Sequence, residues 1–145
     1  CFAVPTLVIY DCLDRHADAI GLGAGNREKN RLVREAGLRS LEILAAAGVP
    51  MGYGTDLLGW MHRDQSAEFA LRAQVLPAVD VLRAATSVNA ALLRRPDLGH
   101  VAAGATADLV LVEGDPLADI TCLSGQGERI PLVMQAGQVV KDRLG

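Results

Sequence analysis

An α/β fold is predicted from three features of the chain: two strand-like runs in its first half, an amphipathic helix between them, and a glycine-punctuated β region at its end. Strand-helix-strand order needs parallel strands joined by a crossover, and two parallel strands alone leave raw edges. The sequence therefore reads as the back end of a larger α/β domain, cut off or completed by another chain.

The first run, AVPTLVIY at 3–10, is β-branched and aromatic, with its proline near the start where a ladder donor is least missed. Residues 11–25 carry glycines at 21, 23 and 25 without a steady period, so a loop with one helical turn is expected. From Arg27 to Ala47 the apolar residues Leu32, Val33, Ala36, Leu41 and Leu44 recur at three or four, opposite Arg31, Arg34, Glu35 and Arg39. Gly48 supplies the stop, and Val49 to Gly54 follows as the second strand.

Ser66 opens a helical pattern with Glu68 two residues later, an imperfect capping box in which the helix dipole alone accounts for the carboxylate. Pro77 begins a further helix whose stripe is Val79, Leu82, Ala85, Val88 and Leu92. Beyond it come HVAAG, ADLVLVEG and PLVMQAGQVVK, with turns at Glu113 to Pro116 and at Ala136 and Gly137. The expected division is residues 1–95 and residues 96–145.

Charge and composition exclude several classes. Fourteen Lys and Arg stand against 17 Asp and Glu, scattered, and only 3% of residues are aromatic, which offers nucleic acid neither a basic patch nor a stacking platform. The apolar stretches are too short or interrupted to span a membrane. Three distant cysteines, at 1, 12 and 122, form no CxxC pair, and a reducing, cytoplasmic setting is the default expectation. The chain starts at Cys1 without a methionine, so the first residues of the natural protein are expected to be missing.

Ligands of parallel sheets gather where the strands end, which singles out Asp56 in VPMGYGTDLLGW, together with Thr55 and, on the first strand, Thr6 and Tyr10. A carboxylate held there can bind a divalent metal or take a proton from water. One carboxylate does not make a metal site, and His16, His62 and His100 show no HxH or HExxH spacing. On the residues alone, a plain turn aspartate remains the leading reading. His62 follows closely enough to share a pocket with Asp56, Arg63 has the fork to hold a substrate carboxylate, and Cys12 reads as a buried thiol.

In the order VPTL, AGVPMGYGTDLLG, HRDQSAEFALRAQVLPAVDVLRAATSVNAALL, LGHVAAGATADLVLVEGDPLADI and IPLVMQAGQVVKD, the chain resembles the C-terminal part of the amidohydrolase superfamily. The nearest resemblance is to its imidazolonepropionase-like and Xaa-Pro dipeptidase-like members. It implies the last portion of a (β/α)8 TIM-like barrel followed by strands of a small β-sandwich, with residues 3–10 as the seventh barrel strand and residues 49–55 as the eighth.

By the same resemblance Asp56 is a metal ligand or metal-proximal base, and His62, with Gln65 and Ser66, lies in a loop that binds substrate; Arg63 and Tyr10 join His62 as substrate-binding candidates on the chemistry and position given above. The implied cofactor is a divalent metal, zinc foremost, whose remaining ligands come from earlier strands absent from this sequence. The implied activity is hydrolysis of C–N bonds in small amides, cyclic amides or dipeptides by metal-activated water, with the 145 residues inactive alone. The implied partner is the N-terminal barrel segment or a second copy; the alternative is a non-catalytic homologue acting as a binding or dimerisation module.

Overall fold

The computed structural model describes residues 1–145. Its helices are α1 (Val8–Arg15), α2 (Ala24–Ala46), α3 (Ala67–Arg72), α4 (Ala78–Arg83) and α5 (Asn89–Leu92), with a π-helical turn at Ala84–Val88 joining the last two. Three strands follow: β1 (Leu109–Leu111), β2 (Leu132–Gln135) and β3 (Gln138–Asp142). No helix is long and apolar enough to cross a membrane.

The expected strand at 3–10 is largely replaced. Only Ala3 pairs, in a single parallel bridge to Met51: Ala3 N–H donates to Pro50 O at 3.0 Å and Gly52 N–H to Ala3 O at 2.8 Å. Pro5 has no N–H to continue that ladder. From Val8 the chain is helical, and α1 runs to Arg15, so Tyr10 lies in a helix and not at a strand end. The run 49–54, expected as the second strand, likewise pairs only at Met51, so the parallel relation of the two runs is present at one rung.

Helix α2 matches its periodicity. Leu41 is wholly buried, while Arg31 pairs with Glu28 and Glu35 on the exposed face, both at 2.6 Å. It ends where Gly48 adopts φ 64°: Val49 N–H reaches back to Leu44 O and Gly48 N–H to Ala45 O, the two bonds of a Schellman cap. Gly37 lets α1's entry segment lie close, since a β-carbon there would fall 2.7 Å from Leu7 Cδ2.

The helix expected from Ser66 is short. A 3-10 turn (Gly59–Asp64) precedes α3, and Ser66 makes no side-chain cap; its hydroxyl accepts from Gln126 N–H at 3.1 Å instead. The β region is a three-stranded antiparallel sheet in the order β1-β2-β3, with Leu109 opposite Met134 and Leu132 opposite Asp142. Ala136 and Gly137 join β2 and β3 with φ of 47° and 80°, the left-handed pair a two-residue hairpin demands. HVAAG is not a strand.

Two apolar clusters hold these pieces. Leu7, Leu41, Leu76 and Val81 pack with Ile120, Cys122 and Leu123, so one core draws on both sides of residue 95. Val8, Ile9 and Cys12 of α1 pack with Leu57 and Met61, which ties α1 to the residue directly after Asp56.

Candidate active site

Asp56 sits where the run 49–55 turns away. Its φ is 52°, a left-handed conformation that aspartate tolerates better than most residues. Its carboxylate is exposed, whereas Leu57 behind it is buried against α1. The turn therefore anchors its backbone and presents its charge.

Two glycines bring the run against the N-terminal segment. A β-carbon at Gly54 would lie 2.8 Å from Val4 Cγ1 and 3.5 Å from Thr6 Cγ2, and one at Gly52 would lie 2.7 Å from Asn89 Oδ1. Val4, Thr6, Gly52 and Gly54 thus share one face. The opposite face carries Met51 into the larger core and Tyr53 onto Phe69, with ring centroids 4.5 Å apart.

Behind this run lies a wholly buried ion pair of α3, Glu68 with Arg72, at 2.7 Å. Arg72 also donates to Gly52 O at 2.9 Å and to Pro5 O, and its guanidinium stands 5.0 Å from the Tyr53 ring centroid. Glu68 accepts Leu7 N–H at 2.9 Å and Val8 N–H at 2.7 Å, the first donors of α1. Burial pushes the Glu68 carboxyl upward, opposed by Arg72 and those two amides. Burial, with the Glu68 charge, pushes the Tyr53 phenol up. The dipole of its own helix does not account for Glu68; the carboxylate serves a helix 60 residues away in sequence.

The other edge of the run is held from the π-helical turn. Tyr53 N–H donates to Ala84 O at 3.2 Å and to Asn89 Oδ1 at 3.0 Å, and Asn89 Nδ2 donates to Tyr53 O at 3.0 Å. Asn89 meets the Tyr53 backbone as a neighbouring strand would, with one donor and one acceptor. The carbonyl that Tyr53 N–H reaches belongs to the first residue of the π-helical turn.

The other sequence-derived candidates are scattered. His62 is exposed in the 3-10 turn. Arg63 lies over the Trp60 ring, 4.9 Å from its centroid, on a cleft of about 440 Å³ shared with Tyr53, Phe69, Gln126 and Lys141. Tyr10 lines a different groove with Val4, Thr6 and Val33, and its carbonyl accepts from Asn30 at 2.9 Å. Asp56 lines neither cleft, so these residues do not converge on it within this chain.

Cys12 is buried, its thiol pushed up to about 11 chiefly by burial, as suits an inert thiol. His16 lies edge-on to Trp60. No group of three or more His, Cys, Asp or Glu side chains is placed to hold a metal ion. Asp56 is one oxygen donor, and one donor does not fit a divalent metal.

Glu68, Arg72 and Asn89 were not singled out from sequence. A signal existed for the pair: Glu68 and Arg72 are four apart, on the stripe that continues to Val75 and Leu76, where an exposed ion pair has no reason to be. Nothing local marks Asn89, whose partner is a backbone 36 residues away.

The sequence pattern described as "Amidohydrolase family" matches residues 1–140. A pterin deaminase of Rhizobium rhizogenes is 30% identical over 124 residues, 79% of this chain and 28% of that protein. The structure superposes on a prolidase crystallised with N-methylphosphonate-L-proline at a TM-score of 0.93 and 46% identity, covering 99% of this chain and 35% of the other. A Xaa-Pro dipeptidase with bound methionine follows at a TM-score of 0.83 and 26% identity, covering 97% and 34%. The chain spans about a third of the length of the relatives it matches.

Proposed function

The chain belongs to the amidohydrolase family, and from that premise we propose that it is the C-terminal third of a hydrolase cutting C–N bonds in small amides, with Xaa-Pro dipeptides the first substrate class to try. The runs at Ala3 and Met51 would be the seventh and eighth strands of a (β/α)8 barrel, and the β1-β2-β3 sheet part of a small β-sandwich. The observation that carries the reading is Asp56: an exposed carboxylate in a strained turn at the end of the extended run 49–55, on a backbone fixed from both edges. Strain of that kind persists where surrounding structure imposes it.

Asp56 would accept the proton of the attacking water and return it to the leaving nitrogen, so that the amine departs neutral. A divalent metal, zinc by resemblance, belongs to the same proposal, with Asp56 as one donor and the others outside these 145 residues. His62, Arg63 and Tyr10 enter as substrate contacts, the first two from the turn after Asp56 and the third from the first turn of α1. Three free thiols support a reducing, cytoplasmic setting. The 145 residues alone would hydrolyse nothing.

The test is Asp56→Asn in the protein carrying a complete barrel, assayed on Xaa-Pro dipeptides and on cyclic amides. Loss of a general base lowers turnover by roughly 10²- to 10⁴-fold. A variant that keeps near wild-type turnover overturns the role of Asp56.

A further inference from the structure

The single parallel bridge between the two runs has a specific continuation. With Ala3 opposite Met51, the next rungs of the ladder would be a residue 5 N–H donating to Gly52 O and Gly54 N–H donating to the residue 5 carbonyl. Residue 5 is proline, so the first of these cannot form. Gly52 O would be left without a donor inside the molecule, and an orphaned buried carbonyl is costly.

Arg72 fills both places. Its Nη1 donates to Gly52 O at 2.9 Å and its Nη2 to Pro5 O, while its Nε, at 2.7 Å, goes to Glu68. We infer that Arg72, neutralised by Glu68, is a positioning residue for Asp56, its guanidinium standing in for the two ladder rungs beyond Ala3. This rests on the proposed function of Asp56.

Three donors in one plane, aimed at two carbonyls and a carboxylate, are what a guanidinium supplies and an ammonium does not. A buried guanidinium needs a countercharge, and Glu68 provides it while accepting Leu7 and Val8 N–H. The ion pair therefore does two jobs at one level of the fold. It sets the spacing between Pro5 and Gly52, four residues before Asp56, and it turns the other run into α1 two residues after Pro5. The strand end that carries Asp56 and the one that carries Thr6 are registered by side chains where main-chain pairing stops.

The test uses the protein with its complete barrel, an Xaa-Pro dipeptide, and the variants E68Q/R72M, P5A/E68Q/R72M, R72K and D56N. Gln at 68 keeps an acceptor for the α1 amides, so that no buried charge is left unpaired. Misplacement of a reacting group by about 1 Å costs about 100-fold, so E68Q/R72M, folded by circular dichroism, is expected to lose kcat by about that factor with KM within about threefold. Adding P5A restores an N–H opposite Gly52 O and is expected to recover about tenfold in kcat. A residue that served folding alone would show neither the kcat-only loss nor that rescue.

R72K keeps the charge and loses the fork, and is expected to fold with kcat down about tenfold. It carries the test if the double variant does not fold. Folded E68Q/R72M or R72K with wild-type kcat overturns the inference, as does a loss that P5A leaves unchanged. D56N separates the two claims. An active D56N overturns the proposed function, whereas an inactive D56N beside an unimpaired E68Q/R72M overturns the positioning role alone.

Discussion

Asp56 distinguishes a turn residue from a working one by its backbone. A left-handed φ of 52° costs an ordinary side chain roughly 1–2 kcal/mol, less for aspartate, and nothing sterically for glycine. Asp56→Gly is therefore expected to stay within about 1 kcal/mol of wild type in urea unfolding, its gained backbone freedom offsetting the relieved strain, while Asp56→Ala loses about 1 kcal/mol. If the aspartate only made the turn, the glycine variant would work as well as the parent. If Asp56 is the proton acceptor, the glycine variant is folded and idle.

The cysteines allow a second test at this scale. Cys1 is exposed, and Cys12 and Cys122 are buried. Because burial raises the Cys12 thiol from 9.0 to about 11, folding favours its neutral form. That contribution is complete below the ordinary thiol value and is lost as pH rises through about 11. Thiol labelling at about pH 8 should stop at one cysteine per native chain, with Cys12 reacting only toward alkaline pH or on unfolding. Rapid labelling of Cys12 at neutral pH would show that its surroundings are open.

At the scale of elements, the run VPMGYGTD is held by side chains on both edges, and Asn89 allows that to be measured. Asn89→Ala leaves Tyr53 N–H its bond to Ala84 O but orphans Tyr53 O, which should cost about 1–3 kcal/mol in chemical unfolding and speed exchange of the Tyr53 amide. An unchanged midpoint would mean that Asn89 adds nothing to the strand.

The same long-range bonds explain what could be read from sequence. Helix α2 was legible because its stripe, its glycine stop and its surface charge pairs all lie within a few turns. The Ala136 and Gly137 hairpin was legible because its chemistry is local. The helix at Val8–Arg15 was not, because an apolar run such as TLVIY suits a buried strand and a buried helix alike. What decides it is the Glu68 carboxylate on the Leu7 and Val8 amides, supplied by a helix far along the chain. Asp56 was found through its place at the end of a strand-like run. The groups that hold it were missed, because their partners are backbone atoms that no residue type announces.

Over the whole molecule, the surface is too large and too apolar for its mass. A folded monomer of 15.3 kDa is expected to expose roughly 7,100 Å², against 8695 Å² here. The excess, about 1,600 Å² on one chain, is roughly twice what one partner buries in a standard protein interface. It is not spread evenly. All of β1, together with Val139 and Val140, is exposed on the small sheet, Leu32, Val33 and Ile43 on α2, and Phe2 and Val4 beside the lone parallel bridge. Unpaired edges and bare apolar faces together are what a sheet shows when more of it is expected. The remainder of a barrel would cover them; a second copy would serve a non-catalytic module. Expressed as these 145 residues, the chain should therefore associate with rising concentration and bind a hydrophobic dye, with no amide hydrolysis in either state. Sedimentation from low to high micromolar concentration measures the first and fluorescence the second. A monodisperse monomer without dye binding would show that the exposed faces need no cover, and would remove the surface argument for both a completed barrel and a dimerisation module.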